Sequence, residues 1–296
     1  MSKIMILGGS GFIGSHLIQH LSGQSLVIVS RHQVKTIAAN QQWLTWHELE
    51  ADPNILKQCS HIISLCGQSL LGLWSKNYKN KLVQSRTEPL EKIASLLDQV
   101  QHSPYFIIAS GVGYYGWQKS TTTLLTESSK VQQPNFLTHI AHKTENCLPI
   151  KYAKNAAYLR LGVVLEPSGG VLRTLKLPTQ IFGGCIWGNG TQPMSWISMH
   201  DAVHCISFLI KQHETGAFNL CAPQPTTHQE FTRSYASFLH RPCWIRIPTW
   251  VCKQSGEMMR NTILQGQAAY PKQLLDLGYQ FKHQTLKSYF SSRQPC

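Results

Sequence analysis

The stretch from Lys3 to Leu21, KIMILGGSGFIGSHLIQHL, restricts the possible folds more than any other in the chain. Ile4 to Leu7 is a short apolar run of buried-strand length. Gly8, Gly9, Gly11 and Gly14 break it, and Phe12 to Leu21 then carries apolar residues at helical spacing. Strand, glycine turn and helix start in that order make a phosphate cradle. The turn lets backbone come close to a pyrophosphate, and the helix N-terminus offers unpaired N–H groups and the positive end of its dipole. The spacing is Gly8-x-x-Gly11-x-x-Gly14 rather than the commoner GxGxxG, so the motif draws its weight from its setting as much as from its glycines.

The rest of the chain alternates strand and helix. Ser25 to Ser30 (SLVIVS), a run around Trp43 to Trp46, His61 to Cys66 (HIISLC), Tyr105 to Ser110 (YFIIAS) and Ala156 to Leu161 (AAYLRL) are the further strands. Lys76 to Val100 is a long amphipathic helix with Leu82, Leu90, Ile93, Leu96 and Leu97 as core candidates. This alternation predicts an α/β, Rossmann-like doubly wound parallel sheet. Ligands in such sheets bind beyond the carboxyl ends of the strands, where Gly8, Arg31, Gly67, Ser110 and Gly162 all fall. After Gly162 the chain turns glycine-rich, with helices expected at Val171 to Leu177 and Asp201 to Ile210 and a strand at Gly216 to Leu220. Prolines punctuate the remainder. The expected division is a cofactor-binding domain over 1–222, with 166–199 contributing to a small α+β substrate lobe that 223–290 completes.

At 296 residues and 42% hydrophobic content the chain can bury a sizeable core. No apolar run approaches a membrane span, and the first is too short for a signal segment, so a cytoplasmic protein without a membrane partner is expected. Nine cysteines with no CxxC pair suit a reducing compartment, and no close Cys/His quartet suggests a metal. The net charge of +13 raises the question of nucleic acid. The basic residues are spread along the chain, however, and Lys76, Lys79, Lys81 and Arg86 are expected on the solvated face of a helix. No nucleic-acid partner is expected.

Charge also selects the cofactor. NAD sites place an acid at the end of the second strand to hold the ribose hydroxyls. Here no acid occurs between Gly14 and Glu48, and the second strand ends in Ser30-Arg31, with Lys35 nearby. A hydroxyl and a guanidinium suit a 2′-phosphate that a carboxylate would repel, so NADP is expected.

Taken together, GGSGFIG at Gly8 to Gly14, VSR at Val29 to Arg31, LCGQ at Leu65 to Gln68, Ser85-Arg86, SGVGYYG at Ser110 to Gly116, LRLGVVL at Leu159 to Leu165 and FNLCAP at Phe218 to Pro223 resemble a known family. The chain is similar to the extended, epimerase-like branch of the short-chain dehydrogenase/reductase superfamily. More narrowly, it resembles the "epimerase family" proteins with a C-terminal domain of unknown function. The resemblance covers nearly the whole chain and implies that Gly8, Gly11 and Gly14, with Phe12 and Ile13 at the helix start, cradle the cofactor. It gives Ser30 and Arg31 the adenosine phosphate, and makes Cys66 and Gly67 the lining of the cleft. Ser110 matches the residue that hydrogen-bonds the reacting oxygen. The superfamily's Tyr-x-x-x-Lys pair is missing: aligned on Glu145, its positions are Leu137 and Ala141. Tyr114, the nearest phenol after Ser110, is then the expected proton donor, with Lys143 as a neighbour to tune it. Two functions stay open on the sequence: an NADP-dependent oxidoreductase or epimerase acting on a small polar, sugar-nucleotide-like molecule, and a non-catalytic NADP-binding protein.

Overall fold

A computed structural model describes residues 2–31, 38–118, 123–254 and 256–293. Strand β1 (Lys3–Leu7) leads through the glycine turn into α1 (Phe12–His20), followed by β2 (Leu26–Ser30), β3 (Gln41–Thr45), α2 (Trp46–Ala51) and β4 (Cys59–Ser64). Next come α3 (Lys76–Val100), β5 (Tyr105–Gly111), α4 (Phe136–Glu145), the short α5 (Ile150–Ala153) and β6 (Ala156–Leu161). The second half carries β7 (Val163–Glu166), α6 (Gly170–Phe182), β8 (Cys185–Trp187), β9 (Pro193–Met194), β10 (Trp196–Ser198), α7 (Met199–Gln212) and β11 (Gly216–Leu220).

Seven strands form one sheet in the order β11-β6-β5-β4-β1-β2-β3, every pairing parallel. Parallel neighbours need crossovers, and the helices that supply them cover both faces. Alternation along β1 sorts the two layers: Ile4 and Ile6 join a core with Leu17 and Ile18 of α1 and Ala202, Ile206 and Leu209 of α7. Met5 and Leu7 face Leu49 of α2 and Leu90, Ile93 and Leu97 of α3. The sheet order reverses at β1, where β2 and β4 leave in opposite directions, and this opens a crevice at the carboxyl ends of the strands.

A smaller α+β lobe has its own core. Leu165, Leu172 and Trp196 pack with Phe231 and Tyr235 of α8 (His228–Phe238), which follows the short strand β12 (Thr226–Thr227), and with Leu286, Tyr289 and Phe290 of the last helix. Strand β13 (Ile245–Ile247) pairs with β8, and α9 (Thr249–Gln254), α10 (Glu257–Met259), α11 (Lys272–Asp276) and α12 (Leu286–Ser291) complete the chain. Leu274, Tyr279 and Phe281 return to the core of the large sheet, so the C-terminal segment closes over both parts. No helix among the described residues is long and apolar enough to cross a membrane.

Expected and observed elements differ in a few places, each for a local reason. The third strand stops at Thr45 because Thr45 and Glu48 form a capping box that starts α2 at Trp46. The fourth strand is Cys59–Ser64, which leaves Cys66 on the loop beyond its end. Helix α6 runs past Leu177 to Phe182 with Pro178 inside it. Arg86 is not on the solvated face of α3: it is half-buried, and its guanidinium donates to the Leu82 and Gln68 carbonyls at 2.7 and 3.1 Å.

Candidate functional site

The glycine turn is built as close contacts between backbones. Gly8 has φ +81°, and a Cβ there would lie 3.0 Å from the Cys66 nitrogen and from the Leu65 carbonyl carbon. The ends of β1 and β4 therefore meet without a side chain between them. A Cβ at Gly14 would lie 2.4 Å from the Gly8 oxygen, so glycine is what lets α1 start against the turn. Gly11 is different: the nearest contact for a Cβ is the Gly8 oxygen at 3.1 Å, with nothing else within reach. Helix α1 has no side-chain cap and no acid in its first turn, so the N–H groups of that turn and the positive dipole end are available to an anion. This cradle fits a dinucleotide pyrophosphate. The Phe12 ring packs on the backbone of Gly169 and Gly170 and joins the turn to the start of α6, while half-buried Ile13 faces the core.

Ser30 closes β2 in a buried position and Arg31 follows it exposed at the rim of the cleft. Lys35 lies outside the described residues. The half-buried Cys66 thiol is pushed up to about 11 by burial, against the pull of the Arg31 and Arg86 charges. At neutral pH it stays protonated, a lining group and not a nucleophile. Gly67 packs under the Arg86 guanidinium, 3.0 Å from where its Cβ would be. Burial pulls the guanidinium's pKa down, and no carboxylate pairs with it among the described residues.

Beyond β5 the site becomes a buried polar network. The Ser110 hydroxyl donates to Glu145 Oε1 at 2.8 Å. Arg160 of β6 grips the same carboxylate with two bonds, Nε to Oε1 at 3.0 Å and one terminal nitrogen to Oε2 at 2.8 Å. Its other terminal nitrogen donates to the Tyr115 hydroxyl at 3.0 Å, which in turn donates to Asn219 Oδ1 at 2.7 Å. The Asn219 N–H reaches Glu127 at 3.0 Å. Burial alone would lower the Arg160 pKa, but Glu145 and Tyr115 more than offset it and hold the guanidinium charged. Burial drives the Tyr115 phenol up to about 12 against Arg160 and Asn219, so this tyrosine is a structural donor at neutral pH.

Tyr114 sits half-buried at the edge of this network. Its ring lies 3.3 Å below the Arg160 guanidinium and stacks on His142 at 4.4 Å. A cation over one face and a stacked imidazole fix the ring's orientation. The expected neighbour Lys143 is exposed, and Arg160 takes the place beside the phenol. Helix α4 brings Leu137 against Gly113, where an added Cβ would be 2.7 Å away, and buries Ala141. Apolar groups therefore occupy the two positions where the sequence resemblance places a Tyr-x-x-x-Lys pair. Glu145, one turn after Ala141, claims the serine instead.

Sequence reasoning passed over the Glu145–Arg160 pair. The signal was present in AAYLRL: an arginine in the middle of a buried strand has to find an acid.

Comparison with known proteins agrees with this geometry. The model of the NAD dependent epimerase/dehydratase family matches residues 4–144, and a domain of unknown function, DUF1731, matches 247–292. Epimerase family protein YfhF of Bacillus subtilis is 30% identical over 96% of this chain and 95% of its own. Epimerase family protein ML0860 of Mycobacterium leprae is 32% identical over 96% and 92%. The crystal structure of human epimerase family protein SDR39U1 with NADPH superposes with a TM-score of 0.85 at 27% identity, covering 98% of both chains. With the glycine turn, the parallel sheet and these relatives along nearly its whole length, the chain belongs to the epimerase family proteins that join an NAD-dependent epimerase/dehydratase fold to a C-terminal DUF1731 domain.

Proposed function

We propose that the chain binds NADP(H) and acts as an oxidoreductase or epimerase on a small polar substrate, sugar nucleotides being the class in view. The observation that carries this reading is the uncapped, acid-free start of α1 behind Gly8 and Gly11, with Arg31 at the end of β2 and no acid before Glu48. The pyrophosphate goes to the α1 N-terminus, and the 2′-phosphate to Ser30 and Arg31. The human relative described with NADPH supports the same choice. Residues 1–222 carry the cofactor, and 166–199 with 223–290 form the wall that receives the substrate. Free cysteines at seven described positions fit the cytoplasm.

When bound, the nicotinamide supplies or accepts the hydride. Ser110 spends its proton on Glu145, so its oxygen presents lone pairs to a substrate hydroxyl. Rotating the hydroxyl turns that proton onto a substrate oxygen at the cost of the Glu145 bond. Tyr114, held by Arg160 and His142, is the proton donor. A second reading, cofactor binding without turnover, is favoured by the apolar Leu137 and Ala141 on α4.

The test follows NADPH oxidation with small polar carbonyl compounds and sugar nucleotides in wild type, Ser110→Ala and Tyr114→Phe. The proposal expects slow reduction in wild type and at least a tenfold loss in each variant, with NADPH affinity intact. Absence of turnover in wild type moves the assignment to the binding-only reading, and full turnover in Tyr114→Phe removes Tyr114 as the proton donor.

A further inference from the structure

At the start of α7, residues distant in sequence converge. Asp201, 1% exposed, stands at the start of α7 and is wrapped by the C-terminal segment. Its Oδ1 accepts the Lys282 N–H at 2.8 Å, and its Oδ2 accepts the His283 N–H at 3.0 Å and the Ser198 hydroxyl at 2.7 Å. Two imidazoles face the same carboxylate: His283 Nδ1 is 3.4 Å from Oδ2, and His200 Nδ1 is 3.7 Å from Oδ1.

Neither nitrogen is satisfied by a proton donor. His200 Nδ1 is buried and has no hydrogen-bond partner among the described residues. The His283 nitrogens lie 3.1 Å from Ser198 Oγ and 3.2 Å from Ser292 Oγ. Both serine protons are already committed, to Asp201 Oδ2 and to the Tyr289 carbonyl. A neutral His283 must then aim a lone pair at an oxygen that has no proton to give. Two imidazole nitrogens and a buried carboxylate turned toward one another are a donor set that a cation would satisfy.

We propose that His200, Asp201 and His283 form a binding site for a first-row divalent transition metal of the zinc class. Their ligand atoms all lie within 4.8 Å of one another. Tetrahedral ligands at about 2.0–2.1 Å from zinc are separated by about 3.3 Å, so small side-chain shifts close the triad. Nitrogen and carboxylate ligands suit zinc, cobalt or iron, and three protein ligands leave a position for water. The outer partners are in place: Ser292 orients His283, and His204 stacks on His200 at 4.0 Å. The ion would tie the start of α7 to residues 282–292, the end of the DUF1731 region. Sequence spacing gives no hint of it, because 82 residues separate Asp201 from His283.

The experiment uses full-length protein without a histidine tag, stripped with chelator and titrated with Co²⁺ and then Zn²⁺. One equivalent of Co²⁺ should bind with a visible d–d spectrum that Zn²⁺ abolishes, and Zn²⁺ should raise the melting temperature. His200→Ala removes a half-exposed side chain whose Nδ1 makes no hydrogen bond, so the variant should fold and bind at least about tenfold more weakly. His283→Gln should do the same, and His139→Ala, at an exposed position on α4, should bind as wild type. No stoichiometric binding, a wild-type melting temperature indifferent to Zn²⁺, or unchanged affinity in His200→Ala overturns the proposal.

Discussion

Glu145 is the residue on which most of the buried polar network depends. Its side chain is 9% exposed, and it pairs with an Arg160 side chain that is 5% exposed. Glu145→Gln leaves the guanidinium buried without its counter-charge, a change that costs about 3–5 kcal/mol. Urea denaturation should show that loss, and a variant as stable as wild type would mean that water reaches the pair. Gly11 and Gly14 separate in the same way. A side chain at Gly11 meets only the Gly8 oxygen and otherwise stands in the cofactor's path, so Gly11→Val should fold and lose NADPH binding. At Gly14 a Cβ drives into backbone, so Gly14→Ala should destabilise the protein by about 1–3 kcal/mol whether or not cofactor is present. If Gly11→Val binds NADPH as wild type does, the turn is only a packing device.

At the scale of elements, much was legible because local chemistry and burial agree. Helix α3 and strands β6 and β11 have the expected ends, since amphipathic or apolar runs there are bounded by turn residues. The ends that differed were decided by pairing and caps: β4 stops where β1 stops, and Thr45 and Glu48 together begin α2. The glycine turn and the start of α1 were legible for the same reason, being a local motif. The buried polar network behind Ser110 was not, although Ser110 itself was expected. Ser110, Tyr115, Glu145, Arg160 and Asn219 come from four strands and helices and the turn after β5, and only the sheet order brings them together. Arg86 was misplaced because helical spacing alone does not show that the loop around Gly67 and Gln68 folds back over it.

For the whole molecule, histidines set the acid limit. Burial is the main cause that lowers the pKa of His20, His61 and His204, and it lowers His228 to about 4. These groups bind protons more readily once unfolded, so their share of stability is complete above about pH 6.5 and is lost as pH falls through the lowered folded values. Urea midpoints should drop between pH 7 and pH 4.5, and less steeply in His228→Gln. A flat profile would show that these imidazoles are hydrated in the folded protein. The proposed NADP(H) site lies where β1, α1 and the end of β2 meet, and titration calorimetry of NADPH and NADH against wild type and Arg31→Ala tests it most directly. A charge-assisted bond to the 2′-phosphate contributes about 1.5–3 kcal/mol, which is about 10- to 150-fold in affinity. Wild type should prefer NADPH by that factor and Arg31→Ala should lose the preference while keeping its NADH affinity. Equal affinities in wild type, or a preference that survives in Arg31→Ala, would contradict the account.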